Sequence, residues 1–256
     1  TWNGNTVYNE ETLTETLGFE RGDVFNQQKF EENLRFNQDN NDVTSLYHNI
    51  GYLFFRVQPE IEMVEGDSLD LNMLVYEDEI ADVNEVSFSG NNKTHDDVVR
   101  RTLRTVPGSR SSRQAIMRTI RELGQLGYFK QKKIKPNLEP DQQEHTVDVS
   151  YQLDESQSTD NFELSGGFGG RSVGLILSAR VNFNNFSLQN AFREGGWTPI
   201  PSGDGQKLSL GAQVTGRGYR SYNFSFQEPW LFGRPNSFGV SLSYDYLDYR
   251  NSPEEY

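Results

Sequence analysis

The sequence predicts two tandem α+β domains, each of β-α-α-β-β order, followed by antiparallel transmembrane strands that form part of a β-barrel. Three observations support this fold class: an internal repeat, a later change to period-two alternation, and a charge that differs between three segments. The predicted units are residues 1–79, residues 80–156 and residues 160–256.

The charge changes along the chain. Residues 1–80 hold 4 basic and 17 acidic side chains, residues 81–150 hold 12 and 9, and residues 151–256 hold 8 and 11. The acidic first third argues against a nucleic-acid partner, because phosphate binding needs a basic surface. A solvated acidic surface is the simpler interpretation of that charge.

Side chains that carry out catalysis or bind metals are scarce. The chain has no cysteine and only three histidines, His48, His95 and His145, without the spacing of a metal site. The glycine-rich run Gly166–Gly170 lies among alternating strand residues with no helix predicted after it, so it does not match a phosphate-binding loop. The sequence therefore predicts no enzyme, no cofactor and no metal.

The internal repeat preserves the order of five features. Residues 2–6 resemble residues 88–92, and each run is followed by a polar helix start. An amphipathic helix then ends near Gly51 in the first copy and near Gly127 in the second, where each glycine is predicted to adopt a left-handed conformation. Each copy closes with an alternating strand, residues 69–73 and 147–151, followed by acidic residues.

Two details refine the predicted helices. In the second copy, Ser111 or Ser112 is the expected N-cap of a helix whose apolar positions are Ile116, Ile120, Leu123 and Leu126. In the first copy, the polar run 37–41 is predicted to be a loop insert.

From about residue 161, apolar and small polar residues alternate through five predicted strands. The opposite face holds Ser, Gly, Asn and Gln, and aromatic residues gather near the strand ends (Tyr219, Tyr222, Trp230, Tyr244, Tyr246 and Tyr249), as in an outer-membrane barrel. The residues predicted to face lipid are Leu175, Leu177, Val181, Leu208, Leu210, Val214, Tyr222, Phe224, Phe226, Phe238, Val240 and Leu242. A soluble sandwich also alternates, so that alternative stays open.

Five strands are too few to close a barrel, so we expect the chain to be a fragment of a longer protein. The chain also begins without a basic segment and an apolar run, so no signal peptide is expected within it.

The second copy and the strand after it resemble a known family. Residues 86–91 followed by 98–101 resemble the start of the last POTRA domain of Omp85 proteins, and residues 121–129 resemble its second helix and the turn after it. Residues 146–151 resemble the last strand of that domain, and residues 162–170 resemble the first barrel strand.

Two further segments bear on the resemblance. Residues 227–233 resemble the periplasmic turn after the fourth strand of the family barrel. The insert Phe192–Gln206 departs from the proteobacterial members and resembles the Bacteroidota version.

The resemblance implies a function without covalent chemistry, the insertion of β-barrel proteins into the outer membrane. It implies unfolded outer-membrane proteins as clients, accessory assembly lipoproteins and outer-membrane lipid as partners, no nucleic acid, and POTRA domains in the periplasm. A related transporter, either TamA-like or a two-partner secretion pore, and a soluble periplasmic binding module remain alternatives.

Two surfaces are candidates for client binding. The first is a lateral-gate strand, Phe162, Leu164, Gly166, Gly167 and Phe168, whose glycines weaken pairing; glycines of a tight turn are the alternative. The second is a POTRA edge strand, predicted at residues 52–63 in the first copy and at residues 129–136, with Lys130, Lys132 and Ile134, in the second. Lysines on an edge strand also block aggregation, which is the alternative role for them.

Overall fold

The computed structural model describes residues 1–35, 37, 39–64, 66, 68–155, 160–197, 199–216 and 218–248. Tyr249 and the rest of the predicted third domain after it lie outside the described residues. The chain forms two compact units. The first comprises residues 1–89, 102–125 and 131–153, and the second comprises residues 90–101, 126–130 and 154–256.

The first repeat packs three helices on a three-stranded sheet. Its elements are β1 (Trp2–Asn3), α1 (Glu10–Leu17), α2 (Gln27–Arg35), α3 (Val43–Asn49), β2 (Arg56–Val64) and β3 (Ser68–Tyr76). The strand order is β1-β3-β2, with β1 parallel and β2 antiparallel to β3. The core contains Leu13, Phe30 and Leu34 from the helices together with Val57 and Met73 from the sheet.

The first repeat has one helix more than predicted. The polar run 37–41 separates α2 from α3, and Asp42 starts the second of these helices. The Asp42 carboxylate accepts hydrogen bonds from the Ser45 backbone N–H at 2.8 Å and from the Ser45 hydroxyl at 2.7 Å. An N-cap of this kind satisfies the free N–H groups of a new first turn, so the insert divides one predicted helix into two.

The second repeat has the predicted β-α-α-β-β order. Its elements are β4 (Asp82–Ser89), α4 (Asp96–Arg100), α5 (Arg113–Gln125), β5 (Lys135–Asp141) and β6 (Thr146–Gln152), in the strand order β4-β6-β5. Ser112 caps α5 by accepting a hydrogen bond from the Ala115 N–H at 3.3 Å. Gly51 and Gly127 have φ values of 107° and 77°, which confirms the predicted left-handed conformation in both copies.

The same half-buried carboxylate contact occurs in both copies. Glu77, just after β3, accepts hydrogen bonds from the Thr6 and Val7 N–H groups at 2.8 and 3.0 Å. Glu155, just after β6, accepts them from the Lys93 and Thr94 N–H groups at 2.8 and 2.7 Å. Burial raises the pKa of Glu77, but the hydrogen bonds outweigh it and lower the pKa overall.

The predicted edge strand of the second repeat was placed wrongly. Lys130 precedes a 3₁₀ turn, Gln131–Lys133, that contains Lys132, and the strand β5 begins only at Lys135. Ile134, between the turn and β5, is buried. The prediction assumed that the strand follows the helix directly, whereas the turn consumes the intervening residues. In the first copy the edge strand is β2, which begins at Arg56, four residues later than predicted.

The second unit contains a five-stranded antiparallel sheet in the order β11-β10-β9-β8-β7. Its strands are β7 (Asn161–Phe168), β8 (Leu175–Phe186), β9 (Gln206–Thr215), β10 (Tyr219–Glu228) and β11 (Phe238–Leu247). Two short helices, α6 (Gly170–Val173) and α7 (Leu188–Ala191), and a 3₁₀ turn (Leu231–Gly233) lie between strands. The sheet is open in the part of the chain that is described, because β7 and β11 each pair with a single neighbour.

None of the helices in the described ranges combines the length and the apolar character needed to cross a lipid bilayer.

The core of the second repeat depends on the buried face of α5. Leu123 is fully buried, whereas Met117 on the same helix is 39% exposed. We expect Leu123→Ala to lower the free energy of unfolding by about 2–5 kcal/mol, because it removes buried methyl groups and leaves a cavity. Denaturant unfolding measures this change. Met117→Ala is the matched control and should cost less than about 1 kcal/mol, so equal losses from the two variants would contradict the described packing.

His48 on α3 makes the stability of the first unit depend on pH. Burial lowers the pKa of His48, Arg113 lowers it further, and Asp42 opposes both. Since the folded-state pKa lies below the unfolded-state value of about 6.5, the stabilising contribution is complete above that pH and is lost as the pH falls through the folded-state pKa. We expect His48→Gln to flatten the fall in unfolding free energy between pH about 6.5 and about 5. If the unfolding free energy of the variant and of the parent fell equally steeply with pH, the lowered pKa of His48 would be contradicted.

Candidate functional surfaces

The strand register aligns apolar side chains across the whole five-stranded sheet. One row runs through Phe162, Val181, Leu210, Phe224 and Leu242. A second row, on the same face, runs through Leu164, Ala179, Ala212, Tyr222 and Tyr244. All twelve residues predicted to face lipid lie on strands β8 to β11 and, by alternation, on this face.

Much of this apolar face is open. Leu164, Leu242 and Tyr244 are 73%, 64% and 64% exposed. Soluble monomeric proteins seldom expose contiguous apolar patches larger than a few hundred Å². An exposed apolar face of this kind therefore indicates contact with a membrane or with another protein.

The opposite face of the sheet is polar and internally hydrogen-bonded. Hydroxyl groups pair across neighbouring strands, at 2.6 Å between Ser165 and Ser178 and at 3.1 Å between Ser225 and Ser241. The Ser209 hydroxyl donates to the Asn182 side-chain oxygen at 2.6 Å. A sheet with one apolar and one polar face matches the two environments of a barrel wall.

The first strand of the sheet, β7, is exposed along its whole length. A Cβ atom at Gly167 would meet no atom within 4 Å, and one at Gly166 would make only ordinary contacts, the nearest at 3.4 Å from Leu177. Neither glycine has a positive φ, so neither backbone conformation requires glycine. Gly170, with φ 76°, does belong to a turn, so the turn interpretation applies there and not to Gly166 or Gly167.

A hydrogen-bonded cluster in the second unit centres on Asp204, in the loop between β8 and β9. The Asp204 carboxylate lies 2.7 Å from His95 Nδ1 and accepts a hydrogen bond from the Ser187 hydroxyl at 2.6 Å. Its backbone carbonyl accepts a hydrogen bond from the Arg101 guanidinium at 3.1 Å. The Arg101 guanidinium also lies 5.3 Å from the centre of the Trp230 ring.

Buried polar groups extend this cluster. The Asn185 side chain donates to the Thr94 hydroxyl at 3.0 Å and accepts from the Gly205 N–H at 2.9 Å. The Tyr128 hydroxyl donates to the Asn184 carbonyl at 3.0 Å, and burial raises the pKa of Tyr128 while Arg101 opposes the rise. The loop is therefore held to segments 90–101 and 126–130 by many directed bonds.

Sequence reasoning recognised the insert Phe192–Gln206 but not its attachment. His95 and Asp204 are 109 positions apart in the sequence, and neither belongs to a recognisable motif. Within the described ranges, no group of three His, Asp or Glu side chains has the arrangement of a metal site.

The two repeats match a protein-family model. Residues 1–78 and residues 81–156 each match the POTRA family, described as the surface antigen variable number repeat.

Individual proteins of other bacteria also align with this chain. A protein of Treponema pallidum (strain Nichols) is 26% identical over 246 residues, which are 93% of this chain and 26% of that protein. The outer membrane protein assembly factor BamA of Neisseria meningitidis serogroup B is 31% identical over 166 residues, which are 64% of this chain and 18% of that protein. The chain spans only 18% to 28% of the length of the curated relatives that it matches.

A solved structure shares the fold. The crystal structure of BamA from Haemophilus ducreyi lacking POTRA domains 1–3 aligns with a TM-score of 0.72 and 19% identity, over 96% of this chain and 41% of that chain. That structure includes both the repeats and the sheet in the alignment. That alignment shows a shared fold, and the match of both repeats to the family model shows that this chain belongs to the POTRA family.

Proposed function

We propose that this chain is part of an outer-membrane factor that assembles β-barrel proteins, with its repeats in the periplasm and its five-stranded sheet in the membrane. The apolar rows that cross all five strands carry the proposal. Several relatives are the outer membrane protein assembly factor BamA of other bacteria, which supports the same function.

Lipid is the favoured cover for the apolar face. Leaving apolar surface in water costs roughly 25 cal/mol for each Å². An apolar face that crosses five strands is therefore more stable in contact with lipid than with water. The serine, asparagine and glutamine side chains of the opposite face suit contact with water inside a barrel.

The gate role is proposed for β7. As an edge strand it presents backbone N–H and C=O groups along one side, and an incoming strand can satisfy them by β-augmentation. Gly166 and Gly167 add no side-chain packing, so a partner strand at this edge is held weakly and can be exchanged. Phe162, Leu164 and Phe168 lie on the same strand face as Gly166 and are 65%, 73% and 74% exposed.

The repeats are proposed to receive unfolded clients and accessory lipoproteins at their own edges. β2 and β5 each pair on one side only, in the orders β1-β3-β2 and β4-β6-β5. Pro136 and Pro140 lie within β5, where an edge strand tolerates residues that lack an N–H group. β2 has a single proline, Pro59, and offers more backbone donors.

A charge on the apolar face tests contact with lipid. Phe224 and Asn223 are neighbours on β10 but belong to opposite faces. We expect Phe224→Arg to destabilise the protein folded in phospholipid vesicles by about 2–4 kcal/mol, because an arginine side chain is costly at the bilayer midplane. Asn223→Arg is the matched control and should change it by less than about 1 kcal/mol. Folding of the whole protein into vesicles, measured by heat-dependent gel mobility, gives both values. Equal insertion of the two variants would count against lipid contact.

Site-specific photocrosslinking tests the gate. A photoreactive residue in place of Leu164 on β7 should crosslink to newly made outer-membrane proteins in cells that produce the whole protein. The same residue in place of Leu210, on the central strand β9, should not, because both edges of β9 are already paired. Client adducts at Leu210 but not at Leu164 would exclude the gate role of β7.

A further inference from the structure

A cationic cavity of about 700 Å³ lies in the first unit. Its walls come from the end of α2, from α3, from the first residues of β2, from the end of β3 and from the first residue of α5. Three of the lining side chains are arginines: Arg35, Arg56 and Arg113. The lining contains no carboxylate, although residues 1–80 hold 17 acidic side chains and only 4 basic ones.

The charges in this cavity favour an anion. Three guanidinium groups around one cavity repel one another, and their pKa values are too high for deprotonation to relieve the repulsion. His48 also lines the cavity, and burial lowers its pKa, so it adds little positive charge at neutral pH. Among the described residues, no carboxylate oxygen lies within 4.0 Å of the Arg35 or Arg56 guanidinium. Hydrogen bonds from Glu79 and Gln142 lower the pKa of Asp78, and the charge of Arg56 is near enough to contribute to this lowering, although Asp78 does not line the cavity.

The cavity is continuous with the free edge of β2. Arg56, Val57 and Gln58 both line the cavity and begin this edge strand. The Val57 carbonyl accepts a hydrogen bond from the Arg35 guanidinium at 3.3 Å, so it points away from β3. Alternate residues direct their backbone groups to the same side, so those of Pro59, Ile61 and Met63 also point outward. Since Arg35 already occupies the Val57 carbonyl and Pro59 has no N–H, the N–H groups that a peptide can use beyond Val57 are those of Ile61 and Met63.

Exposed apolar side chains follow along the same strand. Ile61 and Met63 are 45% and 85% exposed. Tyr76, paired with Arg56 across the sheet, adds an aromatic wall to the cavity. An extended chain lying along β2 would thus find backbone partners, apolar contacts and, at one end, the arginines.

We propose that this cavity binds the carboxylate of an acidic side chain on an extended peptide that pairs with the edge of β2. Arginine binds carboxylates with two parallel hydrogen bonds, which gives both strength and orientation. A polypeptide is favoured over a phosphate or a lipid head group because only a polypeptide uses the adjoining strand edge. The identity of the peptide as a client segment rests on the proposed function, whereas the selectivity for a carboxylate does not.

Two blocked peptides test the proposal on the folded full chain in detergent. One is an acetylated and amidated peptide of alternating Val and Thr with one Asp, and its twin carries Asn instead. We expect the Asp peptide to bind about tenfold more tightly by calorimetry, the difference that a charge-assisted hydrogen bond makes.

Variants of single arginines test which side chains give the preference for the Asp peptide. Arg56→Gln should remove most of it, and Arg113→Gln provides a second variant if the first fails to fold. Arg21→Gln removes the same charge from an exposed position outside the cavity lining and should leave the preference unchanged. Thermal melting of each variant checks that it is folded.

The outcomes separate this inference from the proposed function. Equal binding of both peptides would overturn the carboxylate site while leaving the edge of β2 as a client receptor. Binding of neither peptide would overturn both. Displacement of the Asp peptide by inorganic phosphate at equal concentration would show a general anion site and overturn the choice of a peptide.

Discussion

The pairing of backbone groups between strands is the constraint on which the rest of this structure depends. Each three-stranded sheet satisfies its central strand, β3 or β6, on both sides and leaves its outer strands, β2 and β5 among them, paired on one side only. The five-stranded sheet leaves β7 and β11 at its margins. Unpaired N–H and C=O groups at a sheet edge are a template for pairing with an added strand, so the binding proposed at these edges needs no catalytic side chain.

The remaining architecture holds those edges in place. In each repeat a carboxylate after the last strand, Glu77 or Glu155, caps the N–H groups of the loop after the first strand. In the second unit, Asp204 through a half-buried hydrogen bond and Asn185 through a buried one hold the long loop between β8 and β9. Such bonds are costly to leave unmade in a buried site, so they specify one arrangement of the chain.

Local periodicity made much of the fold predictable. The repeat, the two left-handed glycines and the alternating strands all depend on residues close in sequence, where side-chain direction follows from the period. Where a short polar segment competed with a regular element, prediction failed. The 3₁₀ turn that moved Lys130, Lys132 and Ile134 off the edge strand is of this kind. The loop insert at 37–41 was predicted, but the additional helix that results from it was not.

By itself, the sequence determined the order of the elements and the polarity of each strand face, because both follow from spacing along the chain. Only the tertiary structure decided which distant groups meet. It placed His95 beside Asp204 and gathered Arg35, Arg56 and Arg113 around one cavity. Those contacts depend on strand order and helix packing, which connect residues with no fixed spacing in the sequence.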